Sequence, residues 1–324
     1  MNSEPIIPVN SWLRDLLAAW NRFWFTPTNP ATVCLIRILA GGMLFYTHLV
    51  WTLELPTFFS NDGVFSPEYR DLYNAGSSFV WSHFDWFNSP AWMWGSHIVA
   101  LIVLAAFTIG LWTRVTSILA FLIVVSYCNR AGGALFGLDQ INGFLALYLA
   151  IAPCGLMYSV DAWLARRKSD ADAASLITPK SSLANVAIRL MQLHLCVVYF
   201  FAGVGKLQGV TWWDGTAIWG ALASYEYQTM DVTFLVHVPW FINILTLTSV
   251  FWEVSYPFMI WPKLTRPIWL FMAVPLHVGI GMCMGMITFG VIMLIANVAF
   301  VSPQLVERLI SWPMQKLRGD RTAA

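Results

Sequence analysis

Residues 199–215 read "YFFAGVGKLQGVTWWDG". An apolar, aromatic run suited to a bilayer ends there on a cation, Lys206, and Trp212, Trp213 and Asp214 follow within eight residues. What that lysine means depends on what surrounds it. Hydrophobic residues make up 58% of the 324-residue chain and charged residues 11%, whereas soluble domains carry about a quarter charged residues. The chain therefore reads as an all-α integral membrane protein, with Lys206 at the outer end of a span.

A span needs about 20 mostly apolar residues, and about eight segments qualify: 31–53, 92–112, 115–130, 139–157, 184–206, 239–261, 266–284 and 286–302. The third and eighth are short, which leaves seven or nine open. With the N-terminus inside, thirteen of the 18 lysines and arginines fall in inside segments, Arg70, Arg130 and Lys206 fall outside, and Arg37 and Arg189 lie within spans. The positive-inside rule then puts both termini in the cytoplasm. A bacterial-type cytoplasmic membrane is the expected location.

Residues 1–30 lack a basic leader and read as no signal peptide. Trp12, Leu16, Leu17, Trp20 and Phe23 lie at helical spacing opposite Arg14, Asp15 and Arg22, the pattern of an interfacial amphipathic helix. Residues 31–302 form the transmembrane domain and 303–324 a cytoplasmic tail. Two outer segments read as aromatic caps at headgroup level: 54–91, with Phe79, Trp81, Phe84, Trp86 and Phe87, and 207–238, with "TWWDG" and "SYEYQ". The polar stretch 166–182 reads as a cytoplasmic linker. A formal net charge of +1 excludes a basic nucleic-acid surface. Cys34, Cys128, Cys154, Cys196 and Cys283 have no ligand spacing and read as packing residues, and no metal is expected.

Ionisable groups at membrane depth carry the functional reading, because each costs about 2.5–3.5 kcal/mol on insertion scales. They sort into two layers. In the inner half, Arg37, Arg189 and Glu253 can neutralise one another, so a structural charge pair is expected. Nearer the outside, Lys206, Asp139, Gln140, Asn129, Arg130 and His48, with His277 at mid-span, direct polar groups from five helices toward one level. Taken singly, each has a plain explanation: a snorkelling lysine, a core histidine, a helix-capping Asp139. Taken together they predict a polar cavity open to the outside. Tyr199, Gly203 and Lys206 share a helix face, and Ala202, Gly203 and Gly205 let a neighbouring helix or a flat ligand approach. A lysine partly removed from water there has the chemistry of a general base. No GxSxG, Walker A, GxGxxG or HExxH motif is present.

The segment 199–219, with "NRAGGALFGLDQINGFLALYL", "LMYSVDAW", "FWEVSYPFMIWP" and "LHVGIGMCMGMITFG", resembles the horizontally transferred transmembrane (HTTM) family, which is related to the membrane portion of vitamin K-dependent gamma-glutamyl carboxylase. The resemblance runs over nearly the whole chain. It implies that Lys206 is the base that deprotonates a reduced quinone of the vitamin K or menaquinol kind. Reaction with O2 then gives an epoxide and a strong base, which removes a glutamate γ-proton so that CO2 adds. It further implies a catalytic part for His277, which precedes the last apolar run. Gly205 and Lys206 stand where the carboxylase has two adjacent lysines, and the Asp139–Gln140 region stands where it has an early outside-facing histidine. The carboxylase's large lumenal domain has no counterpart after Ser302, so a small substrate, a peptide brought by a partner protein, or quinol oxidation alone is expected.

Two readings of function follow. One is a multi-pass, quinol-dependent enzyme of carboxylase, lyase or oxidoreductase type, with Lys206 and His277 catalytic and with His48, Asn129, Arg130, Asp139, Gln140, Tyr199, Gly203, Trp213 and Asp214 lining the cavity. The other is a non-enzymatic membrane protein that binds lipid or quinone, or supports a partner in secretion or peptide maturation. A transporter is a weaker third, because the spans lack paired broken helices.

Overall fold

The computed structural model describes residues 9–77, 80–168 and 180–311. Phe79, residues 169–179 of the linker and residues 312–324 of the tail lie outside the described residues. Among those described, the elements are all helical, with one isolated antiparallel bridge between Thr28 and Ser181. In order they are α1 (Val9–Phe25), α2 (Ala31–Trp51), the short α3 (Leu55–Phe59) and α4 (Pro67–Tyr73), α5 (Pro90–Ile109), α6 (Thr113–Arg130), α7 (Gly137–Ile151) and α8 (Val160–Lys168). Then come α9 (Ser182–Lys206), the short α10 (Val210–Trp213) and α11 (Ala217–Leu222), α12 (Pro239–Met259), α13 (Arg266–Cys283) and α14 (Ile287–Asn297).

The eight apolar segments of the sequence correspond to α2, α5, α6, α7, α9, α12, α13 and α14. Among the described residues, four stretches are both long and apolar enough to cross a membrane: Ala31–Phe59, Pro90–Ile109, Ser182–Lys206 and Arg266–Cys283. Ile287–Phe300 and Pro303–Ser311, bent by 115°, make a fifth if they form one broken span. The others fall short for physical reasons. At 15 residues α7 is too short, since each residue rises about 1.5 Å; α6 is framed by Arg114 and Arg130, and α12 carries Asn243, Thr246, Ser249 and Glu253.

Helices α7 and α14 each pack against both α2 and α9, which makes these four the centre of the bundle. On one flank α5 and α6 cover α2 and α7, and on the other α12 and α13 cover α9 and α14. Ile36, Leu44, Leu145, Leu195, Trp252 and Ile292 are in the common core. Many large apolar side chains also stand on the outer surface, Phe201, Phe251, Phe258 and Phe271 among them, the distribution expected where the solvent is lipid.

The two long inter-helix segments fold around small cores of their own. Leu55, Phe59, Phe65 and Phe84 pack with Met93 and Tyr127, and Asp85 bridges Arg70 and Arg130. In the second segment, Leu222, Val232 and Leu235 pack with Ile242.

The motif "LMYSVDAW" forms a clasp. Arg37 on α2 is fully buried and donates to the carbonyls of Cys154 (3.1 Å) and Tyr158 (2.5 Å). Asp161 accepts from the Trp112 N–H (2.9 Å) and from the N–H and hydroxyl of Thr113 (2.7 and 2.6 Å) at the start of α6. Gly110 ends α5 at φ +75°, where a Cβ would strike the Arg37 guanidinium. Trp112 and Tyr158, the two non-glycine residues with positive φ among those described, lie in this clasp, whose hydrogen bonds offset the roughly 1–2 kcal/mol that each such residue costs. Arg37 is thus neutralised by carbonyl dipoles rather than by the carboxylate expected for it. Arg189 also takes other partners: it donates to Phe23 O (3.3 Å) and Gln192 Oε1 (3.0 Å) and lies 4.5 Å above the Phe23 ring. With Asn185, which donates to the carbonyls of Phe23 and Trp24, it holds the end of α1 against α9. Trp12, Leu16, Leu17 and Trp20 remain exposed on α1.

Candidate functional site

Helix α9 turns the face that carries Tyr199, Gly203 and Lys206 toward α12. A Cβ at Gly203 would lie 2.7 Å from Val254 Cγ2 and 2.9 Å from its backbone nitrogen, so glycine sets how closely the helices approach. Gly205 is exposed with nothing near its open face, and Ala202 is also exposed, so of the three small residues Gly203 alone serves the contact. One turn later, Lys206 Nζ donates to Glu253 Oε2 at 2.6 Å and lies 5.3 Å from the centre of the Trp212 ring. Glu253 therefore takes the terminal lysine of its neighbour, and the pairing expected with Arg37 or Arg189 is replaced. Beside this pair runs an apolar groove of about 280 Å³, lined by Leu207, Trp212, Trp213, Val250, Phe251 and Val254 among others.

Behind Lys206 the same face carries Tyr199 into a buried polar chain. Tyr256 donates to Asn297 Oδ1 (2.7 Å), Asn297 Nδ2 donates to the Tyr199 hydroxyl (2.9 Å), and that hydroxyl lies 2.6 Å from His277 Nε2. The Tyr199 oxygen already accepts from Asn297, so its one proton goes to His277. Neutral His277 then carries its hydrogen on Nδ1, which is buried without a partner among the described residues. Trp252 packs edge-on against both Tyr199 and Tyr256, which fixes the rings that aim the hydroxyls. The chain ties α9, α12, α13 and α14 together.

The remaining sequence-derived residues gather elsewhere. Asn129 donates to Trp81 O (3.0 Å). Arg130 donates to Ser60 O and Asn61 Oδ1, each at 2.9 Å, and is spent on holding the segment after α3. Asp139 accepts from the Phe136 N–H at 3.1 Å and so caps α7, Gln140 is exposed, and His48 lies against Tyr127 at 4.5 Å between ring centroids. The single polar layer of the sequence reading is thus two groups, because α2, α6 and α7 aim theirs at the segment 52–89 and at one another, while α9, α12, α13 and α14 form the Lys206 group. Trp213 is exposed and its indole donates to Leu207 O (2.8 Å). Asp214 accepts from the Thr216 N–H (3.0 Å) and hydroxyl (2.5 Å), which shapes the turn before α11.

Tyr256, Asn297, Trp252, His97 and Tyr127 belong to these groups and were not singled out from sequence. Asn297 had a legible signal, a lone amide inside the apolar run "IMLIANVAF". Tyr256 follows Trp252 by one helical turn in "FWEVSYPF", with Glu253 between them.

The family model for the HTTM domain matches residues 25–304. No curated protein and no solved structure matches the chain.

Proposed function

The chain belongs to the HTTM domain family, and on that premise we propose that it is an eight-span membrane protein that acts on a reduced quinol from an outward cavity, with Lys206 as base. Both termini would lie in a bacterial-type cytoplasm and the two inter-helix caps outside. The reading is supported by one observation: Trp212, which lines the apolar groove, has its ring centre 5.3 Å from the Lys206 Nζ that pairs with Glu253. A quinol has polar ring hydroxyls and an apolar tail, and the residues fit it, with the ion pair for the ring edge and Trp213, Val250, Phe251 and Val254 for the tail. When bound, such a group supplies electrons and an ionisable hydroxyl.

Lys206 enters this chemistry as half of a pair. Its ammonium is engaged as a donor to Glu253, so Lys206 takes a proton from a substrate only once Glu253 has taken one from it. The two side chains act as one proton-holding unit. The Tyr256–Asn297–Tyr199–His277 chain holds the α9 face rigid behind them, and His277 enters the reading through Tyr199. Carboxylation of a small or peptide substrate is a further step that the family relation supports.

The test is oxygen-dependent quinol consumption by purified protein in nanodiscs, comparing wild type with Lys206→Arg. Arginine keeps the charge and the reach to Glu253 but does not give up its proton, so turnover should fall by roughly 10²–10⁴ while quinone occupancy is kept. Equal consumption by both proteins would overturn the base assignment. The second reading, a non-enzymatic lipid- or quinone-binding protein, is favoured by the engagement of the lysine proton with Glu253. It predicts bound quinone with no consumption by the wild type.

A further inference from the structure

Two arginines come together at the end of the bundle where α9 begins. Arg189 stands about 10 Å along α9 from its first residue, Ser182, and its guanidinium lies 4.5 Å above the Phe23 ring and 5.7 Å from the centre of the Trp261 ring. Arg266 opens α13 and donates from Nε to Ile260 O (3.1 Å) and from Nη2 to Trp261 O (2.6 Å). The two cations thus flank one tryptophan, close enough for their charges to act on each other. Among the described residues neither has an ion-pair partner.

Each guanidinium also keeps a nitrogen uncommitted. Arg189 spends Nε on Phe23 O and Nη1 on Gln192 Oε1, which leaves Nη2, and Arg266 keeps Nη1. Both residues are partly exposed. Water can meet those N–H groups, but it carries no charge to set against two cations. Arg266 sharpens the imbalance, because the start of a helix is its positive end, where an anion is stabilised and a cation is not. No acidic residue stands in the first turn of α13.

The surroundings decide which anion fits. Trp20 and Phe25 are exposed on α1 at this end of the bundle, Trp24 packs against Trp20 and Phe23, and aromatic side chains of this kind gather at headgroup level. From Arg189 the same face of α9 continues in steps of four through Leu193, Val197 and Phe201, which are 37%, 51% and 66% exposed. A cationic pair at headgroup level therefore opens onto an apolar track. A free phosphate or an acidic peptide would use the cations and leave the track bare. Phosphatidylcholine brings a cation of its own to two that already repel. We propose that Arg189 and Arg266 form a docking site for an acidic phospholipid, with the phosphate taken by the free Nη groups and an acyl chain laid along Leu193, Val197 and Phe201. Arginine suits the task, since its planar fork matches phosphate oxygens. The site shares no residue with the Lys206 groove, and it depends neither on the quinol reading nor on which face of the membrane this end occupies.

Thermal unfolding of the full chain in phosphatidylcholine nanodiscs tests it. Replacing part of the lipid with phosphatidylglycerol should raise Tm by about 1–3 °C, whereas the same fraction of phosphatidylethanolamine should not. Arg266→Gln, which leaves the hold of Arg189 on α1 in place, should lose most of the rise, and Arg189→Gln with Arg266→Gln should lose all of it. Arg166→Gln with Arg167→Gln, on the exposed face of α8, should keep it. Equal wild-type Tm values with and without phosphatidylglycerol would overturn the proposal, whether or not the variants fold. So would a rise that survives in the Arg189 and Arg266 double variant, which would assign it to surface charge in general. Inorganic phosphate added to phosphatidylcholine nanodiscs should give a smaller rise than phosphatidylglycerol; an equal one would make a free anion the occupant and overturn the lipid site.

Discussion

Glu253 Oε2 lies 2.6 Å from Lys206 Nζ, across the close contact that Gly203 permits between α9 and α12. The two side chains are 10% and 26% exposed, which places the pair between the weak surface regime and the strongly coupled buried one. Glu253→Gln should therefore destabilise the protein by about 1–3 kcal/mol, and Lys206→Met by a similar amount. The double variant should lose less than the sum, a coupling that unfolding midpoints in detergent can read. Additive losses would mean that the contact contributes nothing. Glu253→Gln with Arg189→Gln, by contrast, should be additive, since Arg189 is engaged with Phe23 and Gln192.

The Tyr199 hydroxyl both accepts from Asn297 and donates to His277. Tyr199→Phe keeps the ring against Trp252 and removes both bonds; His277 Nε2 is left unmet while Asn297 Nδ2 keeps its bond to Met293 O, so the loss should be about 1–3 kcal/mol. Lowered thermal stability is expected, together with a change in the His277 ring ¹⁵N shifts, because Nε2 loses its donor. Unchanged shifts would show that the tautomer is fixed by something else.

The positions of the long helices were legible because apolar runs of bilayer length leave few alternatives, and helical spacing put Tyr199, Gly203 and Lys206 on one face, which the fold turns toward its neighbours. Pairing was not legible. Depth along a helix can be counted from the sequence, but rotation about the axis and the choice of neighbour are set by packing, so Glu253 was matched by depth to Arg37 and Arg189 while the fold gives it Lys206. Arg37 was misread for a related reason: a loop bent back through left-handed Tyr158 brings carbonyls to a buried cation, and no sequence period announces that.

Asp161 holds the clasp by accepting three hydrogen bonds at the start of α6. Partial burial works to raise its carboxyl, but the Thr113 hydroxyl and the N–H groups of Thr113 and Trp112 outweigh it and leave the pKa below the ordinary value. A depressed folded-state pKa means that the stabilisation is fully present above the unfolded value of about 3.9 and is lost as pH falls through the folded one. Asp161→Ala should thus cost about 1–2 kcal/mol at neutral pH, and the gap to wild type should narrow below about pH 4. A gap that is constant with pH would mean that the carboxylate charge is not what holds the clasp.

Topology decides from which side Lys206 is reached. Thirteen of the 18 lysines and arginines fall on one side of an eight-span arrangement, and Asp62 and Asp231 fall on the other, in the segments that close over the ends of α5 and α12. Cysteines introduced at Asp62 and Asp231 should be labelled in intact cells by an impermeant maleimide, and one introduced at the exposed Lys180 should be labelled only after permeabilisation. The native cysteines are buried or partly buried, so the background should be low. The helices that fall short of span length make this a demanding test: if α6 and α7 together fail to cross, the number of crossings between Asp62 and Lys180 changes by two and the labelling pattern survives. If either one alone fails, Lys180 moves to the side of Asp62. Labelling of Asp62 and Lys180 from the same face would therefore identify an odd break within α5, α6 and α7, and protection of Asp231 would turn the Lys206 groove toward the cytoplasm.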